Sequence, residues 1–241
     1  MTETDDNFIP FIHNYCDRWC ERCEFTLRCR VYDQESKSNL AASDDLIRDA
    51  VRTVAQSFAE AKQMLLEKAA ELGIDLEAAA NDPEITEGME RQRAAVEDTE
   101  AVEFAKNYAF ETRPVLESAD EWIADRDDPM TEEMLSILSW YMFFIAAKVH
   151  RGYHGIIDFD GEVETDELNE AQSDANGSIK IALIAIERSI LAWTYLMTTE
   201  NANLIRPQIE KLEKIRAIVE AKFPYARDFV RPGFDEIEMV M

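Results

Sequence analysis

The chain has 241 residues, 46% of them hydrophobic, which is enough to bury a sizeable core and excludes an unstructured chain. Its 50 acidic against 25 basic residues give a formal net charge of −25, and such a surface repels nucleic-acid phosphates and anionic membrane faces. Seven glycines and seven prolines are few for a sheet with many turns, so the composition favours helices.

The N-terminus, MTETDDNFIPF, lacks a basic region followed by an apolar run, so no signal peptide is expected. No stretch of about 20 residues is free of charge, so no membrane span is expected either, and the chain reads as cytoplasmic. Residues 1–7 form an acidic tail, and Phe8, Ile9, Phe11 and Ile12 cluster around Pro10. All four cysteines follow in one stretch, IHNYCDRWCERCEFTLRCRV: Cys16, Cys20, Cys23 and Cys29, spaced C-x3-C-x2-C-x5-C. Residues 33–42, DQESKSNLAA, read as a polar linker. Residues 1–42 are therefore taken as an N-terminal metal-binding segment and linker.

Residues 43–222 read as a helical bundle. Ser43 is a good N-cap, with Asp44 and Asp45 in the first turn. Behind it Ile47, Val51, Val54, Phe58, Ala61, Leu65, Ala69 and Leu72 recur at steps of three and four, which predicts an amphipathic helix ended by Gly73. A short helical piece, Leu76–Ala80, leads to a break at Asn81-Asp82-Pro83. The next helix is expected from about Glu84 to about Thr112, with Pro114 as its stop. A shorter one is expected over Val115–Ala124. Asp127-Asp128-Pro129 reads as a turn, and Thr131 as the cap of a helix reaching about Ile156. After an acidic loop, Asp158–Glu167, a helix is predicted over about Ala171–Thr199, with Asn176-Gly177 either a break in it or a helical site of close approach. A last amphipathic helix follows Asn203. Residues 223–241, with their Pro and Gly breaks and four aromatics, are expected to pack on the bundle as a tail. The fold class is thus an all-α bundle of about five or six helices.

Four thiolates within fourteen residues can converge on one centre, and in a cytosolic chain such cysteines point to metal rather than disulfides. Thiolate selects zinc or an iron–sulfur cluster. Zinc sites usually use two separated C-x2-4-C pairs, whereas the compact, unequal gaps here suit a [4Fe-4S] cluster, with zinc as the alternative. The last three cysteines, C-E-R-C-E-F-T-L-R-C, resemble the cluster loop of endonuclease III and adenine glycosylase repair enzymes, which ends in C-x2-C-x5-C and implies a [4Fe-4S] cluster. The first gap, the position in the chain and the charge all depart from those enzymes, so the likeness implies the cluster and not repair. C-x3-C-x2-C also looks like the radical-SAM motif, but that family uses three cysteines on a β/α barrel. The whole segment resembles the head of a group of uncharacterised bacterial helical proteins.

Polar residues on otherwise apolar helices mark a candidate second pocket. His150 and His154, four apart, share a helix face. Glu187 and Arg188 interrupt the run IALIAIERSILAW, and if that helix is central these charges need partners, with Lys148, Arg151, the two histidines and Asp174 as candidates. The E-x-x-H pairs of di-iron bundles and the EF-hand spacing are both absent from the sequence. The expected functions are electron transfer or sensing at a cluster, or a zinc-stapled module that binds a protein partner.

Overall fold

Apolar side chains at steps of three and four can be buried together only on one face of a helix, and helices are what the chain forms. The computed structural model describes residues 7–40, 46–123 and 128–235. Among the described residues there are ten α-helices, four short 3-10 turns and a single isolated bridge, Ile157 to Val163, with no strand. Ten helices exceed the five or six expected, because several segments read as loops or as continuous helices form separate short ones. The chain divides into two units, residues 1–13 with 18–89 and residues 14–17 with 90–241.

The first unit begins with irregular chain in which Ile9 N–H donates to the Arg28 carbonyl at 3.0 Å. Helix α1 spans Arg30–Leu40. It overturns the polar-linker reading of residues 33–40: Asp, Gln, Glu and Lys carry no apolar stripe, but most are adequate helix formers. The proposed cap at Ser43, Asp44 and Asp45 lies outside the described residues. Helix α2, Leu46–Leu72, is the longest element at 27 residues. It ends in a Schellman motif, with Gly73 at φ 68°, Ile74 N–H donating to the Ala69 carbonyl and Gly73 N–H to that of Ala70. Helix α3, Leu76–Ala80, is capped by Asp75, whose carboxylate accepts from the N–H groups of Glu77 and Ala78. Helix α4, Pro83–Glu97, opens on Pro83, and the division between the units falls within it.

In the second unit the expected helix from Glu84 to Thr112 is broken. Thr99 takes an extended conformation, its hydroxyl donates back to the Val96 carbonyl at 2.8 Å, and α5 restarts over Glu100–Glu117. Pro114 does not stop α5, which ends at Glu117. The helix expected over residues 115–124 shrinks to α6, Ala119–Trp122. Helix α7, Pro129–His154, is capped by Asp128 rather than by Thr131: its carboxylate accepts from Thr131 N–H at 2.9 Å, and Pro129 fills the first helical position. The acidic loop turns at Gly161, φ 84°, and contains α8, Thr165–Asn169. Helix α9, Asp174–Leu196, runs without interruption behind the cap Ser173, so Asn176-Gly177 is not a break. Helix α10 spans Ala202–Lys222.

Helix α7 packs along α9 and α5, and α10 packs on α9 and α5, so these four helices close a ring. Its core holds Trp193, Tyr108, Tyr141, Leu138 and Ile145. Two buried hydrogen bonds cross it: Trp193 Nε1 donates to Tyr108 Oη at 3.2 Å, and Thr112 Oγ1 to Gln208 Oε1 at 3.1 Å. After α10 the chain turns back over the bundle. Phe223 meets Tyr153 edge-on at 5.2 Å, Lys180 Nζ donates to the Phe229 carbonyl, and Val230 N–H donates to Gln172 Oε1 at 2.7 Å. Lys180 and Arg231 also pair with Asp235. Burial of that carboxylate opposes its charge, but the hydrogen bonds from Arg231 and Lys180 outweigh burial and hold it far below the usual carboxylate range.

Candidate metal centre

The cysteine loop is built from tight turns. Cys20 opens a 3-10 turn, Cys20–Arg22, and Cys23 closes it by donating its N–H to the Cys20 carbonyl at 3.2 Å. Thr26–Arg28 forms a second such turn, closed by Cys29 N–H on the Thr26 carbonyl at 3.3 Å. Cys29 then starts α1, its carbonyl accepting from Asp33 N–H at 3.1 Å. Arg18 sits at φ 60°, a left-handed conformation that costs a non-glycine residue about 1–2 kcal/mol. The Arg22 guanidinium lies over the Trp19 ring, 3.6 Å from its centroid. All four cysteines are of intermediate exposure. Cys20, Cys23 and Cys29 belong to the first unit and Cys16 to the second. Among the described residues no group of three or more His, Cys, Asp or Glu side chains stands together as a set that could hold a metal ion.

Cys16 lies within a four-residue segment, residues 14–17, that is fastened to α7 and α9. Lys148 Nζ donates to the Asn14 carbonyl at 2.9 Å. Tyr15 Oη donates to Asp174 Oδ1 at 2.9 Å, and its ring lies 4.5 Å from that of Phe229. Gly177 makes room for both rings, since a Cβ there would stand 2.5 Å from Tyr15 and 2.7 Å from Phe229. On the other side of Cys16, Trp140 Nε1 donates to the Asp17 carbonyl at 2.8 Å, Tyr141 Oη to Asp17 Oδ2 at 2.7 Å and Arg188 Nη1 to the same oxygen at 2.9 Å. Burial, then the hydrogen bond to Asp17, pushes the Tyr141 phenol up to about 12. None of these anchors carries a sequence signal, because each pairs residues more than a hundred positions apart.

Losing one charged acceptor that serves two donors costs about 1–3 kcal/mol. Asp17→Ala is therefore expected to destabilise the second unit by that amount in urea unfolding followed by helical circular dichroism. Unchanged stability would mean that the bonds around Cys16 are replaced by water at no cost.

The residues proposed for a second pocket are held in four separate arrangements. Asp174 forms a two-pronged pair with Arg151 at 2.7–3.1 Å and also receives Tyr15. Glu187 pairs with Arg227 at 2.7 Å, not with the preceding helix. Arg188 goes to Asp17 and Tyr141. The side chains of Glu187 and Arg188 are 40% and 51% exposed, so neither charge is sealed in the core.

His150 and His154 stack with centroids 6.3 Å apart, and His150 Nε2 lies 3.5 Å from Glu97, whose other oxygen is engaged by Lys106. Burial and then the Lys106, His154 and Arg93 charges lower the His150 pKa. A histidine that is harder to protonate when folded takes up its proton more readily unfolded, so its neutral form favours the fold. That contribution is complete above the ordinary histidine pKa of about 6.5 and is lost as the pH falls below it. The melting temperature should fall between about pH 7.5 and 5.5, and His150→Gln should flatten that fall. An unchanged slope would assign the pH dependence elsewhere.

No protein-family model matches the chain, and no curated protein or solved structure matches it. No helix among the described residues is long and apolar enough to cross a membrane.

Proposed function

We propose that the protein is an iron–sulfur protein in which Cys16, Cys20, Cys23 and Cys29 hold one [4Fe-4S] cluster for electron transfer or sensing. The observation that carries this reading is the cysteine set itself, four within fourteen residues at C-x3-C-x2-C-x5-C. Support comes from the local backbone. Cys20 and Cys23 bracket one tight turn, and Cys29 closes the next, so three of the thiols are carried by two consecutive turns. Where a metal organises its own loop, binding and loop closure are one event. The hydrogen bonds on both sides of Cys16 hold the first ligand to the helical unit.

The cluster would act in the cytoplasm, and the acidic surface keeps it from nucleic acid and membranes. The second reading is a zinc-stapled interaction module without catalysis, favoured by the Cys20-x2-Cys23 turn. Protein purified without oxygen separates the two. A brown protein with broad absorbance near about 400 nm supports the cluster. A colourless protein with one zinc per chain rejects it in favour of the staple.

A further inference from the structure

Two distant pieces of chain meet on the first turns of α9. One is a strap, residues 223–235, and the other is the Cys16 segment, residues 14–17. Both belong to the second unit. In the strap Phe223, Ala226 and Phe229 recur every three residues through the 3-10 turn Ala226–Asp228, which sets them on one side. All three are buried, at 2% exposure or less. Polar bonds pin the strap: Arg227 to Glu187 of α9 and Glu220 of α10, Lys180 to the Phe229 carbonyl, and Val230 N–H to Gln172. The Phe229 backbone is thus held on both sides, and its ring rests on α9 at Gly177.

The Cys16 segment is held differently. Residues 14–17 are all of intermediate exposure. Lys148, Trp140, Tyr141 and Arg188 bind its carbonyls and the Asp17 carboxylate through hydrogen bonds that are exposed or half-buried. Ordering a short run of residues costs about as much as bonds of that kind return, so ring packing tips the balance. The packing falls to Tyr15. Its ring lies 4.5 Å from that of Phe229, and its hydroxyl donates to Asp174. The two rings share the space over Gly177, where a Cβ would stand 2.5 Å from one and 2.7 Å from the other. A strap that leaves α9 therefore uncovers Tyr15, the neighbour of Cys16.

We infer that residues 223–235 act as a latch that positions Cys16: Phe229, seated on α9, holds Tyr15 in place, and Cys16 is held only while the latch is closed. As the placing of a thiol this stands on the contacts alone, and as the placing of a cluster ligand it rests on the iron–sulfur reading above.

Labelling of the metal-free full chain with N-ethylmaleimide reads the latch. Trypsin cuts after Arg18 and Arg22, so Cys16 and Cys20 leave in separate peptides for mass spectrometry. Phe229→Ala should speed labelling of Cys16 at least about fivefold, while Cys20, in the first unit, keeps its rate. Gly177→Ala should also speed it, because the added Cβ displaces both rings, although alanine is the better helix former and a gain in helix stability alone would slow labelling. Leu212→Ala, fully buried in the middle of α10, lowers stability at a distance and should leave the Cys16 rate within about twofold, with circular dichroism verifying helicity throughout. An unchanged Cys16 rate in Phe229→Ala or in Gly177→Ala, or equal acceleration in Leu212→Ala, overturns the inference. In chain purified without oxygen, Phe229→Ala should lose its iron in air at least about twofold faster than the parent, and equal loss overturns the link to the cluster. A parent without iron rejects the function proposed above, and the labelling still decides the latch.

Discussion

Cys23→Ser should leave the chain with less than about a tenth of the parent's metal after identical purification. A hydroxyl is a hard, weakly acidic group and replaces thiolate poorly at iron–sulfur or zinc centres. Cys23 shares one turn with Cys20, its N–H closing on the Cys20 carbonyl. Serine keeps that backbone bond, so the effect isolates the ligand. The loss should reach further than stoichiometry. A closed metal site contributes on the order of 10 kcal/mol to ordering its own loop, and without it residues 18–29 lose that constraint. Limited proteolysis after the Arg residues of the loop should therefore accelerate in the variant, while the helical signal of the second unit stays. Full metal retention in Cys23→Ser would remove Cys23 from the ligand set.

Trp193→Ala should destabilise the four-helix unit by about 3–5 kcal/mol, the range for deleting a large aromatic from a packed core. Trp193 is fully buried in α9, its ring 6.1 Å from that of Trp122, and its Nε1 donates to Tyr108 on α5. Alanine leaves a large cavity and takes a donor from a phenol that is itself fully buried and whose pKa burial raises to about 12. Trp193→Phe keeps most of the volume and loses the N–H, so about 1–2 kcal/mol is expected from the hydrogen bond and the smaller ring. Urea unfolding followed by circular dichroism measures both. A cost below about 1 kcal/mol for alanine would mean that α9 repacks and does not form a fixed wall of the bundle.

The helical class and most long helices were legible because burial writes a period into the sequence. The runs in α7, α9 and α10 report apolar faces that are buried, whereas the stripe from Val51 to Leu72 reports a helix whose apolar residues are exposed. What was missed is what burial does not write. Helix α1 is a polar segment, so its DQESKSN run reads as linker although its residues tolerate helix well. The break at Thr99 depends on a local choice, an extended threonine whose hydroxyl caps the preceding turn, in a stretch with no Gly or Pro to announce it. Pro114 shows the reverse: a residue that usually stops a helix sits within the last turn, where few intrahelical bonds remain to be lost.

At the candidate site the four cysteines were legible by spacing alone, and their surroundings were not. Gly177 was open between a turn and a close approach, and the rings of Tyr15 and Phe229 decide for the approach. These partners come from opposite ends of the chain, and no local pattern ties them to α9. Glu187 and Arg188 looked like buried charges because their neighbours in sequence are apolar. Helical geometry turns them outward to Arg227 and Asp17.

Iron and acid-labile sulfide, counted per chain in protein purified without oxygen, test the central claim most directly. About four of each, lost together in Cys→Ser variants at positions 16, 20, 23 and 29, is the predicted result. Iron and sulfide near zero, with or without zinc in their place, would contradict it.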